Sequence, residues 1–204
     1  MDATGAVVVL IFMYSILSGL GGKMPESGYQ APVAGYSTEI TSNVPVTYTA
    51  VYDAGLQDSI SRFAVLRAKK LSRDQIDQVV GSILKYGQQY DVNPKLVAAM
   101  IDRESGFDPN AVSSSNAQGF AQLLPSTAAH IGIRDPFDID EGVKGASLYL
   151  KMMLDRWTGY PNQSVLALAS YAEGPNQITR SGGKYSEATG RYIRDIFNKY
   201  ASIN

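Results

Sequence analysis

The sequence contains no cysteine and a single histidine, His130. Without cysteine there is no disulfide framework, no thiolate zinc site and no cysteine nucleophile. One histidine argues against a histidine-based metal site and against a Ser-His-Asp triad, and the position of His130 after Thr-Ala-Ala is typical of a helix end or surface. We therefore expect no metal and no cofactor in the site that the chain carries.

The sequence also has no excess of one sign of charge, because 18 basic and 19 acidic residues give a net charge of −1. This balance indicates no polyanion partner, so we expect no binding to nucleic acid. Sustained alternation of apolar and polar residues is absent from the C-terminal two thirds, and no internal repeat is present. With 204 residues, 45% of them hydrophobic, the sequence predicts one mainly α-helical domain plus an appendage.

The first segment, residues 3–20, is mostly apolar and has no charged side chain. As a helix it would extend about 27 Å, just enough to cross the hydrocarbon core of a bilayer. A cleaved signal peptide competes with this interpretation, because small residues follow at 18–22, but Asp2 stands where a signal usually has Lys or Arg. A buried soluble helix is the third alternative. We assign residues 1–22 to a transmembrane anchor or signal sequence, and the one following cation, Lys23, leaves its orientation open.

The next segment, residues 23–71, is interpreted as a spacer that carries an amphipathic helix. Up to about Tyr52 it mixes Gly, Pro, Ser, Thr, Val and Tyr without a helical period. Leu56, Ile60 and Phe63 then recur at helical spacing, and four basic residues follow at 67–73. This helix either packs on the domain with solvated cations or forms a basic collar near an anionic lipid or polymer.

The remaining residues, 72–204, are predicted to form the domain as consecutive helices. Ser72 with Gln75 has the pattern of a capping box. Asn93, which precedes a proline, marks the start of the next helix, and Gly106 marks its end. Ser126 is predicted to cap a short helix, and later helices are predicted to start at Asp138 or Asp140 and at about Ser164 and Ser186. The stretch 164–172 is apolar on nearly every face, which predicts a buried central helix.

Glu104 lies near the end of the helix that Gly106 stops. It continues the apolar row of Met100 and Ile101, so its carboxyl group is expected to lean over the buried face. Asp102 and Arg103 point elsewhere and are expected to be solvated. Partial burial raises the pKa of a carboxyl group, which could then stay protonated near neutral pH as a general acid. The alternative is a surface glutamate at the unfavourable end of the helix dipole.

Two further motifs accompany this glutamate. Between 92 and 127 the sequence includes Asp-Arg-Glu-Ser-Gly-Phe-Asp-Pro-Asn-Ala and Gln-Gly-Phe-Ala-Gln-Leu-Leu-Pro-Ser-Thr, and Ala-Leu-Ala-Ser-Tyr-Ala-Glu-Gly follows at 167–174. In order and separation these segments resemble the soluble-lytic-transglycosylase (SLT) domain family, over nearly all of residues 75–200. The resemblance implies a lysozyme-like fold of the goose type and cleavage of peptidoglycan.

The resemblance also implies roles for individual residues. Glu104 becomes the catalytic acid/base, and Ser105 contacts the substrate beside it. Gly119 and Gln122 would line the sugar cleft, the glycine by admitting close backbone approach and the amide by hydrogen-bonding an acetamido sugar. Phe120, between them, is included in the substrate-binding set.

Two tyrosines and three departures complete the comparison with the family pattern. Tyr171 and Tyr192 match family tyrosines, the first placed to hydrogen-bond the glutamate, although core packing alone would also explain both. Where the family has Gly-Leu-Met-Gln, this sequence has Gly-Phe-Ala-Gln. The family's Tyr-Asn-Ala-Gly is replaced by Tyr-Ala-Glu-Gly, and an Asn that usually precedes the long helix is replaced by Asp138. The second change introduces Glu173, a substrate-binding candidate and the one candidate for a second carboxyl group. The acid itself is retained.

One carboxyl group is enough where the 2-acetamido group of the substrate acts as the nucleophile. The resemblance thus implies a lytic transglycosylase that cleaves the MurNAc-GlcNAc bond: Glu104 protonates the glycosidic oxygen and then accepts the proton of the 6-hydroxyl, giving a 1,6-anhydro end. A lysozyme-type muramidase that uses Glu173 and water is one alternative. A non-catalytic, membrane-anchored protein that binds the wall is the other.

The expected partners are peptidoglycan strands, a membrane bound through the N-terminal helix, and an envelope-spanning secretion or pilus machine or a virion. We expect a membrane-anchored protein whose domain faces the wall in the periplasm or cell envelope, or a virion membrane protein that opens the wall during phage entry. The sequence alone does not choose between these settings.

Overall fold

The computed structural model describes residues 54–204, and this part of the chain forms eight helices. They are α1 (Ala54–Arg67), α2 (Arg73–Tyr90), α3 (Pro94–Ser105), α4 (Pro125–His130), α5 (Ile139–Arg156), α6 (Gln163–Glu173), α7 (Pro175–Arg180) and α8 (Glu187–Ala201). The predictions for residues 1–22 and for the spacer up to 53 lie outside the described residues. None of these eight helices combines the length and the apolar character needed to cross a membrane.

The amphipathic helix predicted ahead of the domain is α1, and it packs on the domain. Ile60 and Phe63 are buried, and the Phe63 ring meets the Phe107 ring edge-on with 6.1 Å between centroids. Three basic residues of the predicted collar are paired with acids, namely Arg67 with Asp102, Lys70 with Asp108 and Arg73 with Asp77. The burial of Ile60 and Phe63 shows that α1 packs on the domain, while these basic residues are paired rather than only solvated. The folded unit therefore includes residues before Ser72.

Four of the eight described helices begin directly after a predicted capping residue. The side chains of Ser72, Asp138 and Ser186 each accept a backbone N–H hydrogen bond at the start of α2, α5 and α8. The predicted cap of α4 at Ser126 is wrong, because Leu124 occupies the N-cap position and the helix begins at Pro125. Proline suits the first helical position, since it lacks an N–H that would have no partner there.

The core is built around α6, whose residues 164–173 are all buried. Helix α5 packs against α2 and α6, and α8 packs against α3 and α6. Residues 96–101 of α3 are fully buried, so the first turns of this helix are fixed inside the core. The packing of α8 on α3 brings the C-terminal helix to the end of α3, where Glu104 lies.

Candidate active site

Helix α3 carries Glu104 in its last turn, and both helix ends are fixed by local interactions. The Asn93 side chain accepts the Lys95 N–H at 3.0 Å, and Pro94 occupies the first helical position. Gly106 ends the helix in the left-handed conformation with φ 61°, which a residue without Cβ adopts readily. The predicted bounds of this helix are confirmed.

The Glu104 carboxyl group is held in a half-buried position against α8. The Tyr192 hydroxyl donates a hydrogen bond to Glu104 Oε1 at 2.5 Å. Burial raises the pKa of Glu104 to about 7, while the Tyr192 hydrogen bond and the charge of Arg103 act in the opposite direction. The predicted raised pKa is confirmed, and both protonation states are accessible near neutral pH, as an acid that later acts as a base requires.

The two predicted tyrosines are both buried, but Tyr192 rather than Tyr171 bonds the glutamate. Tyr171 was expected to bond the glutamate; its hydroxyl instead donates to the Ala121 carbonyl at 2.8 Å. The reason is the helix packing, since α8 rather than α6 carries a tyrosine against the end of α3. Burial raises the pKa of both tyrosines well above 10, so both remain neutral hydrogen-bond donors. Tyr171 also packs edge-on against Tyr149.

The Gly-Phe-Ala-Gln turn is braced internally. Gln122 has a positive φ of 45°, and its Nε2 donates to the carbonyls of Ala111 and Gly119, each at 3.0 Å. These two bonds use both amide hydrogens, so the contact with an acetamido sugar, which stays a prediction, would have to be made through Oε1. The Oε1 atom makes no hydrogen bond within residues 54–204 and is the part of the amide that a substrate could reach.

Gly119 admits a close approach, but the approaching group is protein backbone rather than a sugar. A Cβ atom at this position would lie 1.8 Å from the Pro136 carbonyl oxygen. Phe120 is fully buried, and its ring lies against the backbone of Gly142 on α5. The expectation that Phe120 contacts substrate is therefore wrong, because the side chain belongs to the core.

Ser105 and Glu173 also make internal contacts. The Ser105 hydroxyl donates to the Ile101 carbonyl one turn earlier at 3.1 Å. Glu173 is 5% exposed and accepts the Ser186 N–H at 2.8 Å, ahead of α8. A carboxylate is favourable at that helix end, where unpaired N–H groups point outward. Glu173 thus has a structural partner, and the charged group that affects the pKa of Glu104 is Arg103.

The prediction missed the charges that surround the end of α3. Asp102 was expected to be solvated, but its side chain is 6% exposed and pairs with Arg67 at 3.0 Å and Lys199 at 2.7 Å. Arg103 pairs with Asp195 at 3.2 Å and lies over the Tyr192 ring, 5.2 Å from its centroid. Tyr192 and Asp195 are three residues apart on α8 and so lie on one face of the helix. This spacing was the sequence signal that could have indicated a charged group beside Tyr192.

Comparisons with known proteins identify the family of the chain. The Transglycosylase SLT domain family matches residues 81–193, more than half of the chain, including Glu104 and Tyr192. A transglycosylase of Enterobacteria phage PRD1 is 33% identical over 108 residues, which cover 53% of this chain and 39% of that protein. A membrane-bound lytic murein transglycosylase F of Marinobacter nauticus is 32% identical over 108 residues, covering 48% of this chain and 22% of that protein.

Among solved structures, the 70 kDa soluble lytic transglycosylase SLT70 of Escherichia coli superposes on 72% of this chain and 29% of its own, with a TM-score of 0.54 and 15% identity. This likeness concerns the fold alone. The chain thus spans well under half the length of these relatives. Because the family match covers more than half of the chain, the protein belongs to the Transglycosylase SLT domain family.

Proposed function

We propose that the protein is a peptidoglycan lytic transglycosylase in which Glu104 is the single acid/base. The observation that carries this proposal is the half-buried Glu104 carboxyl group, bonded by Tyr192 and with its pKa raised to about 7, in a chain of the SLT family. A carboxyl group that titrates near neutral pH can give up and take back a proton under the same conditions.

In the proposed reaction, protonated Glu104 donates its proton to the glycosidic oxygen as the bond to C1 of the muramic acid breaks. The acetamido oxygen of the same sugar then traps the positively charged C1. Ionised Glu104 next accepts the proton of the 6-hydroxyl, whose oxygen bonds to C1 and displaces the acetamido oxygen. The product is a 1,6-anhydro end, no water is consumed, and Glu104 returns to its protonated state.

The surroundings of Glu104 favour this route over hydrolysis. A muramidase needs a second group that positions water, and Glu173, the candidate for it, is buried and bonded to the Ser186 N–H. An attacking group tethered to the substrate also has a large effective molarity, provided that the cleft holds the sugar in a reactive geometry. The 6-hydroxyl is therefore expected to react in preference to water.

The pH dependence of the reaction provides a test of Tyr192. Its hydrogen bond lowers the pKa of Glu104, so Tyr192→Phe should raise that pKa and keep the acid protonated to higher pH. We expect the alkaline limb of the pH–rate profile to move upward by about half a unit or more. Rates of wall clearing between pH 5 and 9 measure this shift.

Tyr200→Phe is the matched control, because Tyr200 lies on the same helix and contacts Asn93 rather than Glu104. Its profile should coincide with that of the wild type. An alkaline limb that stays in place in Tyr192→Phe would contradict the assigned role of the hydrogen bond.

The proposed setting is local opening of the cell wall from a membrane, cell envelope or virion. The phage relative supports a role in phage entry, and the relatives named as membrane-bound support a membrane location. The uncharged stretch 3–20 is compatible with an anchor in either case.

Purified wall sacculi test the enzyme against the non-catalytic alternative. The full-length protein should release soluble sugar from the sacculi with a rate proportional to enzyme concentration. A wall-binding protein would sediment with the sacculi and release nothing, which would refute the proposed activity.

A further inference from the structure

Arg103 lies between two side chains of α8. Its Nε is 3.2 Å from the Asp195 carboxylate, and its guanidinium carbon is 5.2 Å from the Tyr192 ring centroid. It lines an open groove of about 450 Å³ between α3 and α8, of which Tyr192 and Asp195 also form part. Because Tyr192 and Asp195 are three residues apart, a single planar guanidinium can reach the ring and the carboxylate together.

Further charges fix this arrangement from both sides. Lys199 on α8 pairs with Asp102 on α3 at 2.7 Å and lies 3.9 Å from Asp195. Arg67 on α1 pairs with the same Asp102. Cations and anions therefore alternate across the α3–α8 contact, and Arg103 is the member of this network that touches Tyr192.

We propose that Arg103, held by Asp195 and stacked on the Tyr192 ring, is a positioning residue that keeps the Tyr192 hydroxyl on the Glu104 carboxyl group. The inference rests on the proposed function only in treating Glu104 as the reacting acid. Lysine could supply the charge, but a flexible ammonium group lacks the planar fork that meets a carboxylate and a ring at once.

The groups that face Glu104 set the direction of the expected effect. Arg103 on α3 and the Tyr192 hydroxyl on α8 both favour the ionised carboxylate, and burial opposes them. Tyr171 on α6 faces the same carboxyl group as a neutral phenol. Loss of Arg103 therefore removes a favourable charge and loosens a favourable hydrogen bond, and both changes raise the pKa of Glu104.

The experiment is an NMR titration of full-length protein labelled with ¹³C at the glutamate carboxyl carbons. The Glu104 signal is identified by its absence in Glu104→Gln. In Arg103→Gln the pKa of Glu104 should rise by about half a unit or more. Arg191→Gln is the matched control, because Arg191 lines the same groove but pairs with Glu187, and it should leave the pKa unchanged. Equal shifts in both variants, or no shift in Arg103→Gln, would overturn the proposal.

A double-mutant cycle separates positioning from charge. If Arg103 acts through Tyr192, the shift in Arg103→Gln with Tyr192→Phe should be smaller than the sum of the two single shifts. Additive shifts would show a direct charge effect and overturn the positioning role. If Arg103→Gln does not fold, Arg103→Lys replaces it in the titration. A shift of the Glu104 pKa that is smaller than the one expected for Arg103→Gln then supports the proposal, and a Glu104 pKa equal to that of the wild type contradicts it.

The titration needs no catalytic activity, so it distinguishes two failures. If the wild type releases no sugar from sacculi while the Glu104 pKa responds as described, the proposed function fails and the positioning role stands. If the wild type is active and the pKa does not respond to Arg103→Gln, only the positioning role fails.

Discussion

Replacing Glu104 with glutamine is expected to abolish glycan cleavage and leave the fold intact. The amide has nearly the shape of the carboxyl group and its oxygen can still accept the Tyr192 hydrogen bond, but it cannot donate a proton to the glycosidic oxygen. General acid catalysis typically contributes a factor of about 10² to 10⁴, so we expect a loss of at least about a hundredfold in the rate of sugar release. Retention of more than about a tenth of the wild-type rate would contradict the assignment.

Glu187→Gln is the matched control, because Glu187 is an exposed glutamate of α8 that pairs with Arg191 one turn away. This variant should clear sacculi at the wild-type rate. A comparable loss in both variants would indicate that the assay responds to charge rather than to the acid at position 104.

The Glu104→Gln substitution should also stabilise the protein at alkaline pH. The folded-state pKa of Glu104 is raised from 4.5 to about 7, so the wild type loses stability as pH rises from the unfolded pKa to the folded one. Glutamine has no proton to lose, and at pH 8 the gain should be about 1 to 3 kcal/mol. Urea unfolding at pH 5 and pH 8 measures the difference. A variant less stable than the wild type at pH 8 would contradict the burial of this carboxyl group.

Among the substitutions proposed, Gly119→Ala is expected to cause the largest loss in the free energy of unfolding. The new methyl group would lie 1.8 Å from the Pro136 carbonyl oxygen, and the backbone at this position has φ +69°. Left-handed backbone alone costs a residue with a Cβ roughly 1 to 2 kcal/mol, and the clash forces the turn and the Pro136 segment apart as well. We expect a loss of about 3 kcal/mol or more in the free energy of unfolding, measured by urea denaturation.

Gly132→Ala separates the two causes. Gly132 has a similar φ of +75°, but a Cβ there would meet no atom within 4 Å. Its loss should be limited to the backbone cost of roughly 1 to 2 kcal/mol. Equal losses in the two variants would show that the contact with Pro136 is not what requires glycine at position 119.

The sequence predicted features that depend on neighbouring residues along the chain. Helix starts at Ser72, Asn93 and Asp138 follow from local capping chemistry, and the raised pKa of Glu104 follows from its place in an apolar helical row. These signals lie within one or two helical turns, so no knowledge of the tertiary packing is needed.

Features that depend on distant packing could not be predicted in this way. Which tyrosine bonds Glu104 is decided by the contact of α8 with α3, and the burial of Asp102 depends on cations from α1 and α8. The family motif indicates that Gly119 and Gln122 matter, but it does not show that they brace their own turn. Residues of a motif can thus also serve the shape of the turn that they belong to.

Mass analysis of the muropeptides released from purified sacculi tests the central claim most directly. If Glu104 works as a single acid/base and the 6-hydroxyl attacks C1, the products should be one water lighter than hydrolysis products and lack a reducing end. Products with reducing ends as the dominant species would contradict the account and identify a lysozyme-type muramidase.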